Sequence, residues 1–200
     1  MTGYRVGVMA GIVAAVALAR VLPHPPNFAP AAALALFAAV TLTPRWLGLV
    51  LPMAAMFLSD VLLEVTTRLG LLEGWLAHGH GFHHWMVVVY AAMAAVAGLG
   101  MLVRGRRWEF IPAAAVGGSV LFFLVTNFAV WAEGLVDGPT AMYPPTWDGL
   151  VECYVAGLPF YRMTLVGDLL FCGVLFGGLA LADALAPTLV REALPVRDRG

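Results

Sequence analysis

The sequence predicts an all-α integral membrane protein, a single domain over residues 1–200 folded as a bundle of six transmembrane helices. Three observations predict it. Hydrophobic residues make up 62% of the chain and charged residues 12%, about half the charged share of an ordinary soluble domain. The apolar runs are apolar on every face, so they lack the polar side that a soluble helix presents to water. Finally, six runs approach the roughly 20 residues needed to cross a bilayer.

The first run, about residues 4–22, ends at "PHPP". It has spanning length and no small-residue cleavage site after it, so it reads as a retained helix rather than a signal peptide. The second, 28–42, is short and opens with "NFAP", whose proline imposes an extended approach before the helix begins. The third, 45–65, contains Pro52, where a kink is expected. The fourth covers 84–103. The fifth, 110–131, carries Pro112 in its first turn, and the sixth covers 161–185. Between the last two lies a long connection with turn signals at "DGP" and "YPP". Its Trp147–Tyr154 part reads as a short amphipathic helix at the interface. No internal repeat is present, which disfavours an inverted-repeat transporter.

Six spans put both termini on one side, and the arginines select it. Arg5, Arg45, Arg104, Arg106, Arg107, Arg191, Arg197 and Arg199 fall on the terminal side; Arg20, Arg68 and Arg162 fall on the other. Basic residues collect in cytoplasmic loops, so both termini are expected inside. A net charge of −1 gives no footing for a nucleic-acid partner; the expected surroundings are the lipid bilayer. Cys153 and Cys172 show no CxxC spacing, so neither a zinc knuckle nor a disulfide framework is indicated.

This topology gathers the chemistry on the outer face. The segment "AHGHGFHHWM" holds His78, His80, His83 and His84. His80 lies three and four positions before His83 and His84, a spacing that would align imidazoles on one helical face as metal ligands. Gly79 and Gly81 argue for a loop instead, although a loop can also wrap a small ion. Imidazole suits zinc, nickel, cobalt and copper alike. Three readings stand open: a transition metal on His80, His83 and His84; an organic substrate touched by His83 and Trp85; or a solvated loop. Trp131, Tyr143, Trp147 and Tyr154 sit among the acids Glu133, Asp137, Asp148 and Glu152. They read as walls of a small-molecule pocket or as interfacial anchors.

Ionisable groups inside a span are costly and mark functional or locking contacts. Arg20 falls about 24 Å up its helix, Asp60 about 22 Å and Asn127 about 24 Å; Asp168 lies roughly 10 Å below the outer start of the sixth span. A polar layer at one depth follows, with Asn127 bridging the charges. It either locks the bundle or floors an outward pocket. On the first helix, Gly3, Gly7, Gly11, Ala15 and Ala19 recur at every fourth position, a flat stripe that lets another helix approach.

Several long stretches occur together: "HPPNFAPAAALALFAA", "FLSD", "FHHWMVVVY", "SVLFFLVTNFAVWA" and "YPPTWDGLVECYVAGLPFYRMTLVGDLLF". Over most of residues 20–180 they resemble an uncharacterised bacterial membrane family assigned to transport. That family is in turn similar, in size and topology, to the substrate-binding S-components of energy-coupling factor transporters. The resemblance implies a six-helix, N-in and C-in subunit of the bacterial cytoplasmic membrane. It implies capture of a vitamin-like or other micronutrient compound at the outer face, under loops 23–30, 66–84 and 132–160. It implies docking of a transmembrane coupling subunit on Gly7, Gly11 and Ala15, with ATPase subunits beyond it, since the chain has no P-loop. Cobalt and nickel S-components begin Met-His, whereas this chain starts Met1-Thr2-Gly3, so a metal would need other ligands.

The expected substrate-binding set is therefore Arg20, Asn27, Asp60, His83, Trp85, Asn127, Trp131, Tyr143, Trp147, Glu152, Tyr154 and Asp168. No HExxH, GxSxG or GxGD-like motif is present, so the reading is a binding protein and not an enzyme, with no resident cofactor. The alternatives are a nickel, cobalt or zinc uptake subunit using the histidine loop, and an intramembrane metal-dependent enzyme.

Overall fold

The structure, a computed structural model, describes residues 30–70, 84–138 and 141–193, together with Gly11, Ala14, Phe28 and Phe82; the side chains of Asp137 and of residues 186–193 fall outside that description. The regular elements among the described residues beyond position 30 are all helices. They are α1 (Ala31–Thr41), α2 (Leu47–Arg68), α3 (Met86–Val103), α4 (Phe110–Ala132), α5 (Gly134–Asp137) and α6 (Trp147–Ala193).

Four stretches, Leu47–Arg68, Met86–Val103, Phe110–Val136 and Trp147–Leu185, are long and apolar enough to cross a membrane. The chain is a multi-pass membrane protein. Its surface agrees: Val116, Val120, Leu124 and Phe128 recur at every fourth position of α4 and are all exposed. A continuous apolar stripe of that length suits lipid rather than water.

Helix α1 is different. Its 11 residues rise about 16 Å, roughly half of the ~30 Å hydrocarbon core. The expected second span, 28–42, is therefore too short as a helix to cross by itself. Residues Ala32 to Ala39 are all buried, because α2, α3, α4 and α6 pack around them. A helix that is apolar all round has no face to give to water, and the centre of the bundle is where it fits. Gly48 sets how closely α2 can lie: a Cβ there would stand 2.8 Å from both Ala38 O and Ala39 Cα.

A short helix buried in a bundle brings end groups that must find partners. For α1 they come from other helices. The Ala33 N–H donates to Asp168 Oδ1 on α6 at 3.3 Å. Arg104, just past α3, donates from Nη1 to Ala39 O at 3.2 Å and to Leu42 O at 2.5 Å. A carboxyl group at the N-terminal end and a guanidinium at the C-terminal end both complement the helix dipole.

Helix α6 corrects the sequence reading most. It runs unbroken from Trp147, where a separate interfacial helix and then a span from Tyr161 were expected. Its 47 residues extend about 70 Å, well beyond the bilayer core. Gly157 and Pro159, which fall in the connection expected before Tyr161, lie inside it. In lipid, a helix satisfies its own backbone, so it continues through proline where a soluble chain would turn. The third and fourth expected spans, 45–65 and 84–103, become Leu47–Arg68 and Met86–Val103, and the fifth, 110–131, becomes Phe110–Ala132. Of the first, 4–22, only Gly11 and Ala14 are described, both helical.

Candidate functional site

Helices α4 and α6 run antiparallel, and their contacts mark a long seam. Trp131 Nε1 donates to Thr146 O at 3.1 Å, Tyr154 Oη to Leu124 O at 2.8 Å, and Ser119 Oγ to Asp168 Oδ2 at 2.6 Å. The seam has a basic end, at the Arg104–Arg107 loop, and an aromatic end, at Trp131 and Trp147. Ser119 and Asp168 are both buried and divide it into two halves.

In the aromatic half lies a cavity of about 280 Å³ lined by Phe122, Phe123, Thr126, Asn127, Gly157, Phe160, Tyr161 and Thr164. Helical spacing explains the set. Positions 157, 160, 161 and 164 share one face of α6, and 122, 123, 126 and 127 share one face of α4. Phe123 is the hub, with ring centroids 5.6 Å from Tyr154 and 4.9 Å from Tyr161. Gly157 lets the helices close on this point: a Cβ there would run into Asn127 Oδ1 and approach Phe123 Cε2 to 2.9 Å.

The polar groups of the cavity are uncharged. Asn127 Nδ2 donates to Phe123 O at 2.8 Å, which leaves its side-chain carbonyl turned toward Gly157. Thr126 and Thr164 donate to the backbone one turn earlier, to Phe122 O at 2.8 Å and Phe160 O at 3.2 Å. Both hydroxyl oxygens keep lone pairs, and the Tyr161 phenol adds a donor. Aromatic walls with a few uncharged donors and acceptors suit a small neutral molecule with a flat ring.

The expected polar layer resolves into separate contacts. Asp60 is buried on α2 and accepts a hydrogen bond from Tyr90 Oη of α3 at 2.7 Å. Asp168 meets Ser119 of α4 and the start of α1. Asn127 bridges neither carboxylate, because it donates within its own helix, eight residues or about 12 Å along α4 from Ser119. The offset follows from α6: because it begins at Trp147, Asp168 lies far deeper below the aromatic end than a start at Tyr161 would place it.

Of the remaining expected residues, Trp131 and Tyr154 tie the seam together beside the cavity. Trp85 stands at the start of α3, its ring centroid 4.7 Å from that of His84. Tyr143 is half-buried in the connection before α6, while Trp147 and Glu152 are exposed and away from the cavity. His84 is exposed, with Nε2 3.4 Å from Glu133 Oε1. Among the described residues no group of three or more His, Cys, Asp or Glu could hold a metal ion. His80, His83, Arg20, Asn27, Gly7 and Ala15 lie outside the described residues. Gly11 is exposed, with nothing within 4 Å of where a Cβ would stand.

Sequence reasoning missed Phe122, Phe123, Thr126, Gly157, Phe160, Tyr161 and Thr164 as lining residues. The signal was the mixed aromatic and hydroxyl face at helical spacing, hidden on α6 because that span was expected to begin only at Tyr161.

Compared with known proteins, residues 2–189 match one family, described as "Family of unknown function (DUF6580)". No curated protein and no solved structure matches the chain.

Proposed function

The chain belongs to the DUF6580 family, and we propose that it is a non-catalytic membrane subunit that captures a small neutral molecule in the α4–α6 cavity. The observation that carries this is the lining: four aromatic rings, one amide and hydroxyl groups around about 280 Å³, with no charged residue. That volume lies near the low end for ligand pockets, which favours a compound of one or two rings. The buried floor of α1, Ser119 and Asp168 separates the cavity from the basic end of the bundle. A ligand held above that floor is presented to one side of the membrane only.

We read that side, from the arginine distribution, as the exterior of a bacterial cytoplasmic membrane, and the reading is then uptake. The S-component resemblance supplies the rest: a six-span bundle and a coupling subunit docked on the small-residue stripe of the first helix. Gly11, the stripe's described glycine, is exposed. ATPase subunits would provide the energy. Micronutrient compounds with uncharged rings are the substrate class that suits the cavity.

Native mass spectrometry of the purified protein tests this. Expected is a copurifying organic molecule, released by heat, that is absent from folded Asn127→Ala. Stoichiometric nickel, cobalt or zinc with no organic molecule would replace this reading with metal capture. A ligand retained at full occupancy in both Asn127→Ala and Tyr161→Ala would place binding elsewhere.

A further inference from the structure

On the other side of the Ser119–Asp168 contact, the seam opens into a second space with different chemistry. Trp108, Ile111, Pro112 and Ala115 meet Leu169, Cys172, Gly173, Phe176, Gly177 and Ala180 around a groove of about 460 Å³. The lining is almost wholly apolar. Gly173 and Gly177, one turn apart on α6, leave it open: nothing stands within 4 Å of a Cβ at either position. An apolar groove within a membrane span suits an acyl chain.

What lies at its mouth adds a second requirement. Trp108 is exposed, and an indole at a groove mouth matches the headgroup level of a bilayer. Immediately before it comes the Arg104–Arg107 turn. Arg104 is committed to the Ala39 and Leu42 carbonyls, and Arg107 pairs with Glu109 at 3.0 Å. The exposed Arg106 guanidinium has no hydrogen-bond or ion-pair partner among the described residues. Among the described residues the acidic groups nearby are Glu109, taken by Arg107, and Asp183, one turn beyond Ala180 and itself already partnered. Three arginines against these two acids leave the mouth basic.

We infer that this groove is a binding site for one anionic phospholipid of the leaflet facing the Arg104–Arg107 loop. Its acyl chain lies between Trp108 and Gly177, and its phosphate sits at Arg106. Basic clusters beside membrane helices select anionic headgroups in this way, each basic residue contributing about fivefold in affinity. The site is distinct from the neutral cavity, and it stands whether or not that cavity binds a substrate.

Tryptophan fluorescence of the full chain in detergent, titrated with phosphatidylglycerol or phosphatidylcholine bearing the same brominated acyl chains, reads the site directly. The Trp108 signal is isolated by difference against Trp108→Phe. Phosphatidylglycerol is expected to quench it at several-fold lower mole fraction than phosphatidylcholine. Arg106→Gln should remove about fivefold of that preference. Gly177→Leu, which fills open space, should abolish the selective quenching while circular dichroism stays unchanged. Equal quenching by the two lipids, or a preference untouched by Arg106→Gln, overturns the proposal. So does a change from dimer to monomer in Gly177→Leu, which would make the groove a helix-docking surface.

Discussion

Ser119 Oγ stands 2.6 Å from Asp168 Oδ2, and the other oxygen of the same carboxyl group accepts the Ala33 N–H at 3.3 Å. One buried side chain thus joins α4 to α6 and closes the N-terminal end of the half-length helix between them. Ser119 Oγ is also 3.1 Å from Ala115 O, but a hydroxyl has one proton to give, and the shorter contact takes it. The contact forms the floor of one cavity and the roof of another, so its loss should reach both.

Replacing Asp168 separates shape from hydrogen bonding. Asp168→Asn can still accept from Ala33 and can donate to Ser119 Oγ, whose proton then turns to Ala115 O. Asp168→Leu leaves the Ala33 N–H without its side-chain acceptor and Ser119 without its cross-helix partner, at a cost on the order of 2–3 kcal/mol. Thermal unfolding in detergent should show a drop of several degrees for Asp168→Leu and little change for Asp168→Asn. Equal drops would mean that the carboxylate charge, not the hydrogen-bond geometry, holds the seam.

The opposite end of α1 makes a parallel case. Arg104 gives two hydrogen bonds from one planar guanidinium to carbonyls at and just beyond the end of the helix. Arg104→Ala should destabilise by about 1–3 kcal/mol, the range for leaving such buried groups unmatched. Arg104→Lys should recover only part of this, since its freely rotating ammonium is not held toward the two carbonyls as the planar guanidinium is. Full rescue by lysine in the same unfolding assay would show that charge alone is needed.

Gly157 and Asn127 should be energetically coupled. Because a Cβ at Gly157 runs into Asn127 Oδ1, Gly157→Ala should force the helices apart and lower stability by about 1–3 kcal/mol. Asn127→Ala removes the obstructing oxygen, so the double variant should be less destabilised than the sum of the singles. Contacting pairs deviate from additivity by about 0.5–3 kcal/mol. Additive losses would mean that the clash falls instead on Phe123, 2.9 Å from the same position.

How far the sequence could be read follows from what each residue sees. Four of the six long apolar runs are helices long and apolar enough to cross a membrane, because lipid imposes the same demand on every turn. Asp60 and Asp168 stood out because a carboxylate inside a span must have a partner. Their partners did not stand out: Tyr90 and Ser119 are ordinary residues on other helices, and pairing across α4–α6 depends on register. Register in turn depended on where α6 begins. The span was expected from Tyr161, yet the helix begins at Trp147, and that difference also concealed Gly157 and Phe160 of the cavity face. The burial of α1 could have been suspected from "AAALALFAAV", which has no polar face at all, but its half-length shows only in the structure.

The last prediction concerns orientation, on which the uptake reading depends. Cys153 and Cys172 are the free cysteines and both are buried, so a membrane-impermeant maleimide should leave the parent protein essentially unlabelled. Arg106 lies before Phe110–Val136 and Met142 after it; both are exposed, Met142 at 77%, and that stretch is long enough to cross once. Arg106→Cys and Met142→Cys should therefore react from opposite sides of the membrane. Basic loops collect on the cytoplasmic side, so intact cells are expected to label Met142→Cys, and Arg106→Cys to react only after permeabilisation. Labelling of both in intact cells would mean that α4 does not cross. The inverted pattern would keep the crossing but turn the neutral cavity toward the cytoplasm, where capture from outside is impossible and export or sensing becomes the reading the geometry allows.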